Sequence, residues 1–243
     1  ARLQACFDEW EASKARPDQA TALLTSDDLA RRPATLKPDL AEALGQIIGD
    51  GFVDAGRVNL TSQDAELLDF FEQTLYANFG VTAVRRPSRN HFNSTVHSAV
   101  LARLFKQTFG VATGWGASGR KTVPDMILRS PEAVVCAFLR GHFDTDGCIS
   151  KPDRQVILVS KSLELLQVEQ LLLLNLGIVC SVRPQQDGTF RVVIPGSDVQ
   201  RFAEKIGFRL SYKRQLLKDT LARVQWFLDK DDLTTIESIE HDE

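Results

Sequence analysis

One local design occurs twice in this chain, and that duplication restricts what it can fold into. The first copy is Ala43-Leu44-Gly45-Gln46-Ile47-Ile48-Gly49-Asp50-Gly51, and the second is Phe138-Leu139-Arg140-Gly141-His142-Phe143-Asp144-Thr145-Asp146-Gly147. Each reads as an apolar helical segment that ends in an Asp-Gly pair. Gly45 and Gly49 are spaced four apart, as are Gly141 and Thr145, which sets small residues on one helix face where another backbone can approach. A glycine inside a soluble helix costs about 1 kcal/mol relative to alanine, so close packing has to offset it. Gly51 and Gly147 read as helix stops. Asp50 and Asp146 then stand at the negative end of the helix dipole, the unfavourable end for an anion. If the two helices pack side by side their carboxylates meet, repelling by roughly 1 kcal/mol in water and about 4 at an effective dielectric of 20. A divalent cation between them removes that penalty. Taken singly, each motif also fits an unrelated exposed aspartate at a helix end.

The flanking residues repeat as well. Leu60-Thr61-Ser62 through Glu66-Leu67-Leu68 aligns with Leu158-Val159-Ser160 through Glu164-Leu165-Leu166, and Phe79-Gly80-Val81 aligns with Leu176-Gly177-Ile178, at almost the spacing that separates Asp50 from Asp146. The fold class this predicts is α+β, with two pseudo-symmetric αββαββα repeats packed through their opening helices. The first repeat is expected over residues 39–130 and the second over 131–228. Residues 1–38 read as a helical extension, with Leu3, Cys6, Phe7 and Trp10 in helical spacing and a short helix starting near Ser26-Asp27-Asp28. Residues 229–243 form an acidic tail.

Within the first repeat a helix starts at Pro38-Asp39, and a hairpin spans Phe52 to Leu60. Thr61-Ser62 caps a helix through Asn78, two strands flank a turn at Pro87-Ser88, and a helix from Ser98 closes at Gly110. In the second repeat Ser130-Pro131-Glu132 reads as a start signal, with Ser130 as cap and Pro131 at the first position. A strand over Gln155 to Val159 precedes a helix to Asn175, and strands Ile178 to Arg183 and Thr189 to Ile194 flank an Asp187-Gly188 turn. A helix over Ser197 to Ile206 follows.

The net charge of -3 argues against a nucleic-acid partner until its distribution is considered. Between Val81 and Pro131 the chain carries Arg85, Arg86, Arg89, Arg103, Lys106, Arg120, Lys121 and Arg129 against the single acid Asp125. The segment after Gln225 is acidic. A basic face is therefore available for phosphates. Cys6, Cys136, Cys148 and Cys180 show no metal-binding spacing and read as reduced thiols filling the core of an intracellular protein. No stretch approaches eighteen apolar residues, so no membrane span is expected. Asp144-Thr145-Asp146-Gly147 has the look of a calcium loop, but its first ligand would be His142 and its twelfth Asp153 rather than Glu. His91, His97, His142 and His241 form no recognised catalytic arrangement and read as surface or core residues.

At Leu44-Gly45 to Asp50-Gly51 and Leu139-Arg140-Gly141 to Asp146-Gly147 the chain resembles the paired LAGLIDADG motifs of homing endonucleases, in the dodecapeptide form found in inteins. Gly49 stands where the namesake motif has alanine. The resemblance runs from about Lys37 to Leu228. It implies a monomer that cuts both strands of a long double-stranded DNA target, with Mg²⁺ held by Asp50 and Asp146. Lys121 and Lys213, at comparable distances after the two aspartates, look like the active-site lysines. Two sheets would lie as a saddle along the major groove, with Arg57, Asn59, Arg85, Arg86, Arg89, Arg154, Gln155, Arg183 and Arg191 as candidate DNA contacts. The alternatives are a DNA-binding module that does not cut and a maturase that binds intron RNA. Thr235-Ile236-Glu237-Ser238-Ile239-Glu240 resembles the strand that returns into an intein's splicing domain. The start at Ala1, with no nucleophile there and no His-Asn at the end, gives the expectation of an endonuclease region separated from a longer intein.

Overall fold

A computed structural model describes residues 35–54, 56–112 and 117–231, the last eight of these and Ala117 by their backbone. The expected helices near Leu3 to Trp10 and Ser26, and the expected strand at Thr235 to Glu240, lie outside the described residues. The chain lays out α1 (Pro38–Asp50), β1 (Gly51–Val53), β2 (Arg57–Ser62), α2 (Ala65–Phe79), β3 (Val84–Ser88), β4 (His91–His97) and α3 (Ala99–Gln107). A 3-10 turn (Ala117–Arg120) and α4 (Asp125–Leu128) lead into the second half. There the order recurs as α5 (Glu132–Asp146), β5 (Gly147–Ser150), β6 (Gln155–Ser160), α6 (Leu163–Asn175), β7 (Ser181–Pro184), β8 (Phe190–Ile194) and α7 (Gly196–Lys205), followed by α8 (Ser211–Asp231). Both halves are thus αββαββα, as the internal repeat predicts.

Each half folds its strands into one antiparallel sheet, in the orders β1-β2-β4-β3 and β5-β6-β8-β7. The sheets are covered on one face only. In β2, Val58 and Leu60 are buried against the helices while Arg57, Asn59 and Thr61 point the other way, and β6 alternates likewise with Val156 and Leu158 inside. Pro87 is tolerated in β3 because that strand lies at the sheet edge, where the missing N–H breaks no ladder bond.

The halves meet through α1 and α5. Residues Leu40 to Gly49 are all buried in α1, and in α5 burial runs from Val134 to Leu139 and from Gly141 to Asp144. Such helices, apolar nearly all round, belong at the centre of a protein. Gly45 and Gly141 explain how they fit. A methyl group at Gly45 would overlap the backbone carbonyl of Phe138, and one at Gly141 would overlap that of Glu42. The two backbones therefore lie in direct contact at reciprocal positions. A carboxylate is buried beside this seam: Glu42, only 2 % exposed, accepts from Arg209 through Nε and through Nη2 (3.0 Å), and from Arg140 Nη1 at 3.2 Å. The Arg209 guanidinium also stacks 3.6 Å above the ring of Phe70. Two arginines from the second half thus neutralise a buried acid of the first.

Several local expectations need correction. Gly51 and Gly147 do stop their helices as expected, and with extended backbones (φ -90° and -89°), so each helix runs straight into a strand. They are glycines because a Cβ would meet the carbonyl of Ile47 or of Phe143. The N-cap of α2 is Asp64, and Ser62 instead accepts from the Asp64 N–H at 3.0 Å. Pro131 is the N-cap of α5, and the Ser130 hydroxyl turns back to Met126 O at 2.7 Å. Pro87 and Ser88 belong to β3, with the turn at Arg89-Asn90, and β7 starts at Ser181 rather than Ile178. Cys148 is exposed rather than core filler.

The seam makes a stability prediction. Gly141→Ala should lower unfolding free energy by about 2–3 kcal/mol or more, because the overlapping partner is backbone and cannot turn aside. An unchanged urea midpoint for this variant would contradict the close approach.

Candidate active site and nucleic-acid face

Helix α1 ends at Asp50 and α5 at Asp146, and because the helices pack in reciprocal register their last residues share one place. Asp50 has its pKa pushed up to about 6 from 3.8, first by burial of the carboxyl and next by the Asp146 charge, while Lys121, Lys213 and His142 pull it down. The Asp50 residue still opens to solvent on one side, and the Asp146 side chain is 27 % exposed. Around Asp50 a hollow of about 410 Å³ is lined by Thr61, Ser62, Gln63, Asp64, Asn90 and His91. The two aspartates expected to act together are thus brought together.

The lysines differ from one another. Lys121 donates to Gly49 O, in the last turn of α1, at 2.6 Å, and its own carbonyl accepts from Ser162 Oγ across the seam at 2.6 Å. Burial holds its pKa down against the opposing pull of Asp146 and Asp50. Lys213, 7 % exposed, donates to Phe143 O (3.1 Å), Asp144 O (2.7 Å) and Gly147 O (2.6 Å). The ammonium thus meets carbonyls where α5 gives way to β5, one of which, Phe143 O, also accepts from the Gly147 N–H, so Lys213 reinforces the C-terminal end of α5. Burial lowers its pKa too, against Asp144. Asp144 in turn accepts from the N–H groups of Arg209 (2.8 Å) and Leu210 (3.2 Å), just before α8. Its own pKa is pushed up to about 6, mainly by burial, which those two bonds only partly offset. Lys213 therefore anchors the end of α5 as well as adding charge near Asp50.

Sequence reasoning missed the groups behind Asp146. His142, one turn earlier in α5, is fully buried and lies 3.2 Å through Nε2 from Asp146 Oδ2 and 2.7 Å through Nδ1 from Glu169 Oε1. Burial opposes a charge on the ring, but the Glu169 carboxylate and then Asp146 outweigh it and push the pKa up to about 10. The signals were present. His142 is four residues before Asp146, the spacing that brings helical side chains together, and Glu169 interrupts the buried stripe of Leu165, Leu166, Leu172 and Leu173.

The donor set fits a hard cation. Two carboxylates at a shared, crowded point offer oxygen only, and among the described residues no cluster of three or more His, Cys, Asp or Glu side chains is placed to bind a metal. Mg²⁺ is commonly held by one or two carboxylates, with water and substrate phosphate completing the shell.

Of the candidate DNA contacts, Arg57, Asn59 and Arg86 line the uncovered face of the first sheet together with Asn93, Thr95 and His97, around a groove of about 500 Å³. Asn59 is fixed there by donating to Thr95 Oγ1 at 2.9 Å and Ser94 O at 3.2 Å. Arg57 pairs with Asp54 at 2.6 Å. Arg85 is not on this face: it turns to α2 and binds Glu72 at 2.9 Å and also Asp69. Arg89 and Arg154 sit in turns with positive φ, 51° and 53°. On the second sheet Gln155 opens β6 opposite Ser150, and Arg183 pairs across the ladder with Arg191. Arg183 donates to Ser181 Oγ at 3.1 Å, and the buried Arg191 Nε has no hydrogen-bond partner. Two arginines directly opposed across a ladder repel, a cost an anion would remove. Among the described residues no helix is long and apolar enough to cross a membrane.

The chain matches the LAGLIDADG-like domain family twice, over residues 39–110 and 133–207. It is 33% identical over 168 residues to an A-type ATP synthase subunit of Methanopyrus kandleri, a match covering 68% of this chain and 15% of that protein. It is 27% identical over 186 residues to the probable translation initiation factor IF-2 of Thermococcus kodakarensis, covering 76% of this chain and 16% of that protein. The chain thus spans about one sixth of the length of these relatives. Among solved structures it is similar in fold to the homing endonuclease I-DmoI, whose crystal structures include complexes with DNA and Ca (TM-score 0.58, 17% identity, 74% of this chain and 96% of that one) and with DNA and Mn (TM-score 0.55, 20% identity, 70% and 96%).

The charges at the seam can be tested through stability. In metal-free protein, protons bind Asp50 more tightly folded than unfolded, so its contribution to stability falls as pH rises from about 4 to about 6. Asp50→Asn should therefore raise the melting temperature at neutral pH and leave it little changed at pH 4. Discounted for solvent screening, the gain is about 1 kcal/mol, or roughly 2–4 °C in a chain of this size. A melting temperature that falls at neutral pH would contradict the repulsion. Lys213→Met should destabilise by about 1–3 kcal/mol, leaving buried carbonyls without donors, whereas Lys121→Met should change stability much less in the same denaturation assay. With two matched domains covering more than half its length and two motif helices joined at their glycines, the chain belongs to the LAGLIDADG-like domain family.

Proposed function

We propose that this chain is a site-specific endonuclease that breaks both strands of a long DNA duplex in a metal-dependent reaction, and that it is the endonuclease region of an intein. The observation that carries the reading is the convergence of Asp50 and Asp146 at the ends of two packed helices, between two sheets that each leave one face uncovered. A nuclease that cuts both strands needs two acidic centres close together and a surface on either side to hold the duplex. The DNA complexes of I-DmoI, of similar fold, support the duplex as substrate, and their cations support the metal.

In this reading Asp50 and Asp146 hold Mg²⁺. When bound, the cation supplies charge for the phosphorane and the leaving oxygen and lowers the pKa of a coordinated water. Lys121 retains donors beyond its bond to Gly49 O and faces both aspartates, so it can orient water or stabilise a scissile phosphate. Lys213 spends its three donors on the end of α5 and acts there by holding Asp146 in place. The polar face of Arg57, Asn59, Arg86, Asn93, Thr95 and His97 suits base edges and phosphates. The Arg183 and Arg191 pair suits a phosphate of the other half-site.

The intein context is supported by the relatives themselves. An ATP synthase subunit and a probable translation initiation factor are differently named proteins, yet this chain is similar to about a sixth of the length of each. A segment carried within unrelated proteins accounts for that pattern.

The test is cleavage of a plasmid library of randomised sites with Mg²⁺, beside an EDTA control, with the ends sequenced. Metal-dependent double-strand cuts at one long site are expected. Selection of one duplex without cutting would point to a binding module, and preference for structured RNA to a maturase. On the selected target, Asp50→Asn or Asp146→Asn should slow double-strand cleavage by roughly 10²–10⁴-fold, the several kcal/mol a bound cation supplies. Both variants should keep DNA affinity, as measured by gel shift. Normal cleavage by either would remove it from the metal site.

A further inference from the structure

We infer that His142, clamped between Glu169 and Asp146, is a positioning residue for the Asp146 carboxylate and so for the strand cut that this carboxylate serves. The inference rests on the proposed endonuclease reading and deepens it. A carboxylate at a helix C-terminus meets no favourable backbone charge and is free to turn about two side-chain torsions. Asp146 loses that freedom because His142 Nε2 stands 3.2 Å from Oδ2. The ring is held in its own place by Glu169 Oε1 at 2.7 Å, and both His142 and Glu169 are fully buried. Relays of this kind, carboxylate to imidazole to ligand, set the orientation of metal sites, and disrupting one typically costs about 10–100-fold in metal affinity or activity.

Among the described residues the first half has no such relay. Gln46 stands four residues before Asp50, where His142 stands before Asp146, and both its side-chain amide atoms are buried without a hydrogen-bond partner. Phe71, also fully buried, takes the place of Glu169 in the aligned helix. Neither can fix the Asp50 carboxylate. A buried ion-paired histidine is a costly way to fill a core position that a glutamine or a phenylalanine fills in the sister half, and Glu169 Oε2 is itself left without a partner. A solely structural role leaves the contact to Asp146 unexplained. The positioning role accounts for it.

The experiment uses His142→Gln, which places the first half's own residue in the second. With supercoiled plasmid carrying the selected site, the unaltered chain should yield linear product with little nicked intermediate. H142Q should slow one strand cut by about 10–100-fold and accumulate nicked circles, while DNA affinity by gel shift stays unchanged. Linear product at the unaltered rate with no nicked excess would overturn the inference. A second measurement needs neither cleavage nor a variant. In ¹⁵N-histidine-labelled protein the buried ring is identified by slowly exchanging N–H signals, and addition of Mg²⁺ alone should shift its Nε2 resonance as Asp146 engages the cation. A ring resonance that Mg²⁺ leaves unmoved would also overturn it, even if H142Q fails to fold. If the unaltered chain cuts no DNA while Mg²⁺ still shifts the ring, the endonuclease reading fails and the positioning of Asp146 stands.

Discussion

The contact of two helix backbones at Gly45 and Gly141 is the constraint on which the rest of this molecule depends. Each glycine faces a carbonyl of the opposite helix, so no side chain can be interposed and the relative register of the halves is fixed at the atomic level. Asp50 and Asp146 lie five residues beyond their glycines. Fixing the glycines therefore fixes the carboxylates as a pair, at the point where their helices give way to strands. The same closeness generates the electrostatic cost. Two anions and two helix C-termini meet there, and the structure answers with Lys121, Lys213 and His142, each of which draws down the pKa of Asp50. They do not outweigh the burial of the Asp50 carboxyl and the charge of Asp146, which together hold its pKa at about 6. Leaving the pair under-neutralised is unfavourable for stability alone and favourable for holding a cation.

The seam was legible in the sequence because its determinants are local and repeated. Gly45, Gly49 and Asp50 lie within one helical turn and a half, their counterparts recur at a constant offset, and burial of an apolar helix needs no knowledge of distant residues. The repeat order αββαββα followed from the same offset. What stayed hidden depends on tertiary direction. Arg85 reads as a basic strand residue like Arg86, yet the pleat sends the two to opposite faces, and only Arg86 faces the groove. Lys213 sits in sequence where Lys121 does, but α8 brings its ammonium against three carbonyls rather than one. Ser130 and Thr61-Ser62 carry the composition of caps and make other bonds, because neighbouring backbone offered them nearer partners.

The halves share a frame and differ in what the frame displays. On the first sheet the uncovered side is polar at its centre, with Asn59 bonded to Thr95 and linked through Thr61 to Asn93. On the second, Ile157 and Val159 occupy the corresponding centre of β6, with Arg183 and Arg191 toward the edge. The core beneath is comparable in both, because Val58 and Leu60 are matched by Val156 and Leu158. Alternation along a strand separates the two demands: inward positions must satisfy one packing problem, and outward positions are free to diverge. A pseudo-symmetric scaffold can in this way face a target with no symmetry of its own.

The same divergence reaches the seam, where it is least expected. Positions four before the aspartates are buried in both halves, so packing alone would accept similar residues at each. Yet one is an unpartnered glutamine and the other a histidine tied to two carboxylates. Burying Glu169 and His142 together is tolerable only because each neutralises the other, and removing either partner would leave a charge in the core. Such a pair cannot drift by single substitutions as surface residues can. Its position directly behind one aspartate, and not behind the other, ties the asymmetry of the frame to the chemistry proposed at its centre.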